Sequence, residues 1–377
     1  MTRLHVISFD VPYPANYGGV IDVYHKLRCL HAAGIKIHLH CFTYGRGPAT
    51  ELEALCEQVY YYPRQTGILS NLSLLPYTVK SRQSAELRQN LLRQPFPILF
   101  EVLHTCDLLN DPELATRKKI FRHSNIEHDY YHELSKGERN WIKRWYLKVE
   151  AFKLRRFENV LAKADYILAV NQKDTLYYAQ KFSKVKSIYL PSFHAQDEVM
   201  ITQGNGDYIL YHGNLSISEN YVALQWLLKE VFAGISVPVV IAGLNPPEFL
   251  KQEIKQYAHV KLIENPSEKE MDTLIKEAQV HVLYTMQGTG LKLKLLNVLF
   301  RGRFVVLNGK MLEGTGLKAD DTLFCTETAA CFKEQIQALM QKKFANNEVM
   351  QRSKQLKPFM NQTNIKTLLE IIQDPAK

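Results

Sequence analysis

Short apolar runs alternate with longer amphipathic stretches along almost the whole chain. Residues 4–9 form an apolar run that a polar loop follows, and residues 20–33 carry apolar side chains at helical spacing as far as Gly34. An alternating run over residues 35–42 comes next. This order predicts a β-loop-α-β unit, the building block of a parallel sheet.

The same rhythm continues towards the C-terminus with one interruption. Further strands are predicted at residues 59–62, 98–103, 119–122, 166–170, 208–211, 237–242, 259–263, 280–284 and 304–307. Helices are predicted within 67–92, at 140–164, from Asp174, at 220–232, at 268–278, up to Gly302, at 328–342 and at 347–373. The interruption, residues 191–207, is polar, contains Pro191 and Gly204-Asn-Gly, and predicts a linker.

Two successive α/β sets joined by a linker predict two doubly wound, Rossmann-like domains that face a cleft. The predicted boundaries are 1–190 for the first domain, 191–207 for the linker and 208–345 for the second domain. Residues 346–377 are predicted as a C-terminal helix, for which a return to the first domain is one option. A length of 377 residues suits two domains.

Composition favours a globular protein without a membrane span. Hydrophobic residues make up 46% and charged residues 23% of the chain, and no apolar run reaches the roughly 18 residues that a span needs. Pro12 and Pro14 interrupt the first apolar run, so we do not expect a signal peptide. The six cysteines show no CxxC pair, which favours reduced thiols in the cytoplasm over a zinc site.

The positive charge is confined to the first half of the chain. Of the 47 lysines and arginines 27 precede residue 187, against 18 of the 38 acidic residues, so this part holds the whole net charge of +9. An anionic substrate or surface is therefore expected there. Nucleic acid is the least favoured partner, because no nucleic-acid-binding motif is recognisable.

Glycine and lysine stand together in the stretch 288–302, GTGLKLKLLNVLFRG. Gly288 and Gly290 precede a predicted helix, and Lys292 and Lys294 lie near its start. Glycine lets a ligand approach the backbone, and a helix start offers unpaired N–H groups and partial positive charge. The stretch predicts a diphosphate site. A plain buried helix whose lysines reach solvent is the alternative interpretation.

Three loops of the first half follow predicted strands, where open α/β sheets bind ligands. They contain Gly18-Gly19, His104, and the run His123, Ser124, Asn125, Ile126, Glu127, His128. Histidine and carboxylate in such loops predict acid–base or hydroxyl-binding groups. A simple turn at the glycines and structural histidines are the alternatives.

The predicted helix 140–164 is basic and interleaved with aromatic residues, among them Trp141, Trp145 and Phe152. Such a helix can lie on an anionic membrane surface. The slightly favoured interpretation is an aromatic stripe that faces the core, with a basic face in solvent.

Four collinear segments resemble retaining glycosyltransferases of the GT-B fold, most of all those of family 4. They are PYPANYGGVIDVYHKLRCLHAAGIKIHLHCF, FRHSNIEHDYY, YHGNLSISENYVALQWLLKEVF and GTGLKLKLLNVLFRGRFVVLN. Their joint order, which spans nearly the whole chain, carries the resemblance. It implies a nucleotide-sugar donor held by the C-terminal domain and an acceptor held by the N-terminal domain.

The resemblance also implies roles for single positions. Family members bind the donor diphosphate through basic side chains and glycine backbone, a role that Gly18, Gly19, Gly213, Gly288, Gly290, Lys292 and Lys294 match. Asn297 stands where many members have a glutamate that binds the nucleotide ribose, and Thr289 where many have an acidic residue. His123 is one residue away from the family's usual histidine position, which Ser124 occupies, so on a strand it would face the other way. The catalytic candidates are His123, Glu127 and Lys294, and the acceptor candidates are His104, Asn125 and His128.

We therefore expect a transferase that moves a hexose from a nucleoside diphosphate sugar to a glycan or lipid-linked acceptor with retention of configuration. The nucleotide sugar is the co-substrate, and no metal or other cofactor is expected, since no Asp-x-Asp site stands at a strand end. The expected location is the cytoplasm, with attachment to the inner face of the membrane as an option. The alternative is a catalytically inactive relative that binds a glycan or a protein partner, which Asn297 and the displaced histidine motivate.

Overall fold

The chain divides into two compact units in the computed structural model, which describes residues 2–67, 70, 73–138, 140–286 and 292–374. The first unit comprises Met1–Ala195 and Asn361–Lys377, and the second comprises Gln196–Met360. The observed break thus lies inside the predicted linker, residues 191–207. Residues 346–360 belong to the second unit, whereas the sequence predicted a separate C-terminal segment from residue 346.

The first unit is built on a parallel sheet. Its described strands are β1 (Arg3–Ser8), β2 (Lys36–Thr43), β3 (Gln58–Pro63), β4 (Ile98–Glu101), β5 (Lys119–Arg122), β6 (Tyr166–Ala169) and β7 (Lys186–Tyr189). They pair in the order β3-β2-β1-β4-β5-β6-β7, and every pair is parallel. Every residue of β4, β5 and β6 is buried, as expected for central strands that helices cover on both faces.

Helices connect these strands. They are α1 (Gly18–Ala32), α2 (Thr50–Glu53), α3 (Tyr77–Lys80), α4 (Ala85–Arg93), α5 (Glu127–Gly137), α6 (Trp141–Phe157) and α7 (Gln172–Lys181). A 3₁₀ helix follows β4 at Leu103–Asn110, and another follows α6 at Glu158–Lys163. Gly34, with φ of 77°, allows the tight turn from α1 into β2.

The second unit repeats the architecture. Its strands are β8 (Ile209–Asn214), β9 (Val239–Leu244), β10 (Val260–Glu264), β11 (Val280–Leu283), β12 (Phe304–Leu307) and β13 (Leu323–Cys325), in the parallel order β10-β9-β8-β11-β12-β13. Its helices are α8 (Ser218–Trp226), α9 (Glu248–Ile254), α10 (Glu268–Glu277), α11 (Leu293–Arg301), α12 (Gly309–Leu312), α13 (Ala329–Met340) and α14 (Asn346–Leu356). The last helix, α15 (Asn361–Gln373), belongs to the first unit, where Leu368 and Ile371 join the apolar cluster of α1.

Several predicted elements differ from the structure, among them the following three. The predicted loop 123–128 ends early, because α5 already begins at Glu127. The predicted helix 347–373 is broken between α14 and α15, where Pro358 cannot supply the N–H that a continuous helix needs. The predicted helix 140–164 is α-helical only as far as Phe157, and a 3₁₀ helix follows it.

The aromatic stripe of α6 does not face the core. Trp141 is 76%, Trp145 65% and Phe152 60% exposed, whereas the buried side of this helix consists of Glu150, Ala151 and Leu154. The favoured interpretation of a core-facing aromatic stripe is therefore wrong. Among the described residues no helix is both long and apolar enough to cross a membrane.

A cluster of four buried charges lies in the first unit where α1 meets the ends of β4 and β5. Lys26 donates to Asp22 at 3.0 Å and to Glu101 at 2.7 Å. Arg122 binds both carboxylate oxygens of Asp22 at 3.0 Å, which is the bidentate geometry of a strong ion pair. Two cations and two carboxylates balance, and the Arg122 and Lys26 charges hold the pKa of Asp22 well below its usual range.

The same cluster fixes the segment that leaves the first unit. Arg122 also donates to the carbonyl oxygens of Leu190 and Pro191, and the Phe193 N–H donates to Asp22 at 2.6 Å. The carboxylate of Asp22 therefore joins one helix, one strand and the outgoing chain.

Removal of one buried partner should destabilise the first unit strongly. Arg122→Ala leaves the Asp22 carboxylate buried with fewer partners, so we expect the free energy of unfolding to fall by about 3–5 kcal/mol. Urea denaturation followed by circular dichroism measures the change. Arg3→Ala, which breaks the solvent-exposed pair of Arg3 and Glu57, is the matched control and should change stability little. Equal losses in both variants would contradict the importance of the cluster.

Candidate functional site

The strand order of the second unit reverses between β8 and β11. These strands lie side by side, but the chain proceeds from β8 to β9 on one side and from β11 to β12 on the other. In parallel α/β sheets the carboxyl ends of two such strands form a crevice that binds ligands. Gly213 and Asn214 end β8, and Thr285 follows β11, so these residues belong to that crevice.

Lys294, on the first turn of α11, brings a cation to this point. Its ammonium group donates to the Asn220 side-chain oxygen at 3.1 Å, and Asn220 lies on the first turn of α8. Burial lowers the pKa of Lys294 to about 8, although the charge of Glu219 opposes the shift. The helix is held in place by its apolar residues, of which Leu295, Leu296, Val298, Leu299 and Phe300 are buried.

Lys292 supplies a second cation directly before α11. Its ammonium group lies 3.7 Å from a carboxylate oxygen of Glu219, and the same carboxylate accepts a hydrogen bond from the Thr285 hydroxyl. Burial lowers the pKa of Lys292 as well, against the effect of Glu219. Lys292, Lys294 and Glu219 together carry one excess positive charge when all three are ionised, and the charge of Glu313 also acts on Lys292.

Glycine backbone borders this pair of lysines. A Cβ atom at Gly213 would lie 3.4–3.6 Å from the Asn220 side chain, so Gly213, Asn220 and Lys294 are neighbours. At Gly243, at the end of β9, a Cβ atom would come within 2.4 Å of the Gly213 carbonyl oxygen, so glycine is required there. The predicted diphosphate residues Gly288 and Gly290 lie outside the described residues, as does Thr289.

Asn297, the predicted ribose ligand, already has a protein partner. Its side-chain oxygen accepts a hydrogen bond from Gln196 at 3.0 Å, and Arg301 donates to the oxygen of that glutamine. A ribose would have to compete with Gln196 for this oxygen, and the ribose role stays a prediction.

Sequence reasoning missed Glu219 and Asn220, the partners of the two lysines. The available signal was their position at the start of the helix that follows β8. His212 was also missed: it is buried, and burial together with Lys294 lowers its pKa to about 3, so the imidazole is neutral at physiological pH.

In the first unit the structure brings His104 and Glu127 together. His104 lies in the turn that follows β4, Glu127 is the first residue of α5, and their side chains approach to 3.2 Å. Glu127 is buried, whereas Asn125, two residues earlier, is half-buried. An imidazole in contact with a carboxylate can help to orient that carboxylate.

The other two histidines of this region face inward. His123 is fully buried, lies 3.3 Å from Asp174 and packs edge-on against Tyr178. Burial lowers its pKa to about 3, so it is a neutral group within the core. His128 lies 3.6 Å from the buried Glu158, and burial lowers its pKa too.

Gly18 and Gly19 are the first two residues of α1, directly after the loop that follows β1. A Cβ atom at Gly19 would come within 2.7 Å of the Phe9 ring, so a side chain would displace that ring. The loop itself is fixed by Arg46, which donates to the carbonyl oxygens of Val11 and Pro14.

The half-buried Lys294 cation should reduce the stability of the folded protein. Its pKa is lowered from 10.5 to about 8, which corresponds to about 3 kcal/mol against the charged form at neutral pH. Because the folded-state pKa is the lower one, the folded state gains stability as pH rises from about 8 to 10.5. Lys294→Met should therefore raise the free energy of unfolding at neutral pH, by at most about 3 kcal/mol, in urea denaturation.

Lys229→Met is the control for this variant, because Lys229 is exposed and its replacement should change stability little. A clear loss of stability in Lys294→Met would show that the cation is well compensated within the protein.

Comparison with known proteins finds a relative by sequence. No protein-family model matches the chain. The chain is 28% identical over 364 residues to an uncharacterized 44.6 kDa protein in the cps region of Klebsiella pneumoniae. This match covers 89% of the chain and 90% of that protein.

Solved structures with similar folds include glycosyltransferases. Sucrose-phosphate synthase from Thermosynechococcus elongatus has a TM-score of 0.69 at 12% identity over 98% of both chains. Anabaena HepE in complex with UDP and glucose has a TM-score of 0.64 at 13% identity over 98% of this chain and 100% of that one. TarM has a TM-score of 0.68 at 8% identity over 99% of both chains. The chain therefore has the α/β fold of the GT-B glycosyltransferases, with one parallel sheet in each of its two units.

Proposed function

We propose that the protein is a glycosyltransferase that moves a hexose from a nucleoside diphosphate sugar to a hydroxyl group of a glycan or lipid-linked acceptor, with retention of configuration. The observation that carries this proposal is the lysine pair at the strand-order reversal of the second unit. Lys294 is half-buried there with Asn220 as a neutral partner, and Lys292 lies near the carboxylate of Glu219.

An anion is the ligand that such a pair favours. Burial lowers the pKa of both lysines, so each cation is more costly inside the protein than in water. A diphosphate restores favourable electrostatics by placing negative charge beside them. The bare backbone at Gly213 leaves room for phosphate oxygens close to Lys294.

The same contacts explain how the donor is activated. When the bond from the sugar to the diphosphate breaks, negative charge grows on the phosphate oxygens of the leaving group. Cations that are already fixed nearby stabilise that charge without reorganisation, and one such contact typically contributes about 2.7–4 kcal/mol to transition-state stabilisation. Glu219 has a positioning role, because it contacts Lys292 and is itself fixed by the Thr285 hydroxyl.

The first unit supplies the candidates for acceptor binding. The contact between His104 and Glu127 offers a carboxylate that can accept a hydrogen bond from the acceptor hydroxyl, with Asn125 close by in sequence. In a retaining reaction the leaving phosphate can take the proton of that hydroxyl, so these residues need only bind and orient. The buried, neutral His123 fits a structural role better than contact with substrate.

Two comparisons support the proposed classes of substrate. HepE, which has a similar fold, was crystallised with UDP and with UDP-glucose, which favours a nucleotide sugar as donor. The relative in the cps region favours a role in polysaccharide biosynthesis. The proposed reaction takes place in the cytoplasm and requires no metal cofactor.

The non-catalytic alternative retains one supporting observation. Asn297 is uncharged where many members of the resembled family have a glutamate that binds the ribose, and its side-chain oxygen already accepts a hydrogen bond from Gln196. Thermal-shift measurements with a panel of UDP-, GDP- and ADP-sugars, combined with assays for nucleotide release, separate the two functions. Stabilisation by a donor without any transfer or hydrolysis would favour the alternative.

Removal of the Lys294 cation should abolish most of the activity. Lys294→Ala is expected to reduce nucleotide release from the best donor of the panel at least about a hundredfold, because one preorganised contact with the leaving group is lost. Circular dichroism should show an intact fold, and Lys229→Ala on the surface of the same unit is the matched control. Activity of Lys294→Ala at the wild-type level would remove Lys294 from the site.

Donor binding should weaken as the pH rises. Lys294 loses its proton near pH 8 in the free protein, so the affinity for UDP-glucose is expected to fall about tenfold between about pH 7 and pH 9. Isothermal titration calorimetry measures this change. Lys294→Arg keeps a positive charge throughout this range and should make the binding nearly independent of pH. An equally steep decline in that variant would assign the titration to another group, such as Lys292.

A further inference from the structure

Helix α6 exposes a row of aromatic side chains. Trp141, Trp145 and Phe152 follow one another at spacings of four and seven residues, so they share one face of the helix. They are 76%, 65% and 60% exposed, and Ile142 beside them is 58% exposed. An apolar row of this kind on a water-exposed helix indicates an interaction surface.

Cations of α6 lie beside this row. Arg144, Lys148 and Arg155 lie on the same face as the aromatics, and Arg156 places its guanidinium 5.8 Å from the centre of the Phe152 ring. The one carboxylate within α6, Glu150, is buried on the opposite side, where it pairs with Lys153. The exposed residues of α6 therefore include cations and aromatics but no acid.

The opposite side of α6 fixes the helix in place. Ala151 and Leu154 are buried, and Glu150 accepts a hydrogen bond from the backbone N–H of Tyr77 at 2.7 Å. Near the start of the helix, Arg144 donates to the carbonyl oxygen of Glu138. The aromatic row is thus presented on a fixed helix, over a length of about 22 Å from residue 141 to residue 156.

We propose that this face of α6 docks the first unit onto an anionic lipid bilayer. The helix lies parallel to the membrane plane, Trp141, Trp145 and Phe152 enter the boundary between headgroups and acyl chains, and the surrounding cations bind lipid phosphates. Tryptophan suits that boundary because its ring is apolar and its N–H can stay hydrated.

Charge favours a bilayer over a second copy of the chain. In a symmetric dimer the face would meet itself, so Arg144, Lys148, Arg155 and Arg156 of the two copies would be brought together, and like charges at an interface repel. An anionic bilayer offers both an apolar acyl-chain region for the aromatic side chains and negative charge for the cations. The inference does not depend on the proposed transferase activity.

Vesicle binding tests the proposal with intrinsic fluorescence. The chain has three tryptophans, two of which lie on this face, and Trp226→Phe leaves those two as the probes. With vesicles of equal parts phosphatidylglycerol and phosphatidylcholine, we expect a blue-shifted emission, quenching by brominated lipid and co-flotation of the protein. Vesicles of phosphatidylcholine alone should bind at least about tenfold less, and added salt should weaken the binding.

Two variants separate the apolar and the charged contributions. Replacement of Trp141, Trp145 and Phe152 by serine should weaken vesicle binding, followed by co-flotation, at least about tenfold. Lys148→Glu combined with Arg155→Glu should weaken it by a similar factor. The matched controls replace the exposed Leu176, Phe249 and Met350 by serine, and the exposed Lys229 and Lys255 by glutamate, and should bind as the wild type does.

Several outcomes would overturn the proposal. They are wild-type protein that binds no anionic vesicles, equal binding to neutral vesicles, and serine or glutamate variants that bind as the wild type does. Light scattering after gel filtration identifies the competing occupant: a wild-type dimer that the serine variant converts to a monomer, without any loss of vesicle binding, would assign the face to a second copy of the chain.

Discussion

A charge that is removed from water needs a partner, and the two units meet this constraint in different ways. In the first unit Asp22, Glu101, Lys26 and Arg122 balance one another within hydrogen-bonding distance. In the second unit Lys292 and Lys294 lie beside the carboxylate of Glu219 and the neutral amide of Asn220, and the charge of Glu313 also acts on Lys292. The first arrangement is complete and stabilises the fold. The second leaves positive charge that a diphosphate would match, and this difference is the physical basis of the proposed function.

The complete cluster also determines where candidate residues lie. Asp22 anchors α1, and the first residues of that helix are Gly18 and Gly19, so the same carboxylate positions the loop that follows β1. Glu101 ends β4, and His104 follows it within one turn. A polar cluster beneath a sheet edge thus positions residues that the sequence predicted as ligands for substrate, although the cluster itself contacts no substrate in the proposed mechanism.

The sequence predicted most strands well because buried strands in a parallel sheet are short, continuous apolar runs. Lys119–Arg122 and Phe304–Leu307 match their predicted bounds. It predicted the positions of single side chains less well, since these depend on distant partners. The Asn297 oxygen accepts a hydrogen bond from Gln196, 101 positions earlier in the chain, and the Lys294 ammonium group donates one to Asn220. No local sequence pattern reveals such pairs. Nor does one show that His123 is fully buried or that the side chains of Glu127 and His104 are in contact.

In helix α6 the sequence likewise could not predict which face of the helix is buried. Helical spacing predicted that its aromatics share one side, but which side packs depends on the surface that the rest of the unit offers. The side of α6 that packs against the rest of the unit consists of Ala151, Leu154 and Glu150, which is paired with Lys153. The larger aromatic side chains therefore remain in water. Full burial of a side chain such as Phe152 would contribute about 1.5–3 kcal/mol, and folding leaves this contribution unused. Because cations border the row, an anionic bilayer can use both the apolar area and the charge that the folded unit leaves exposed.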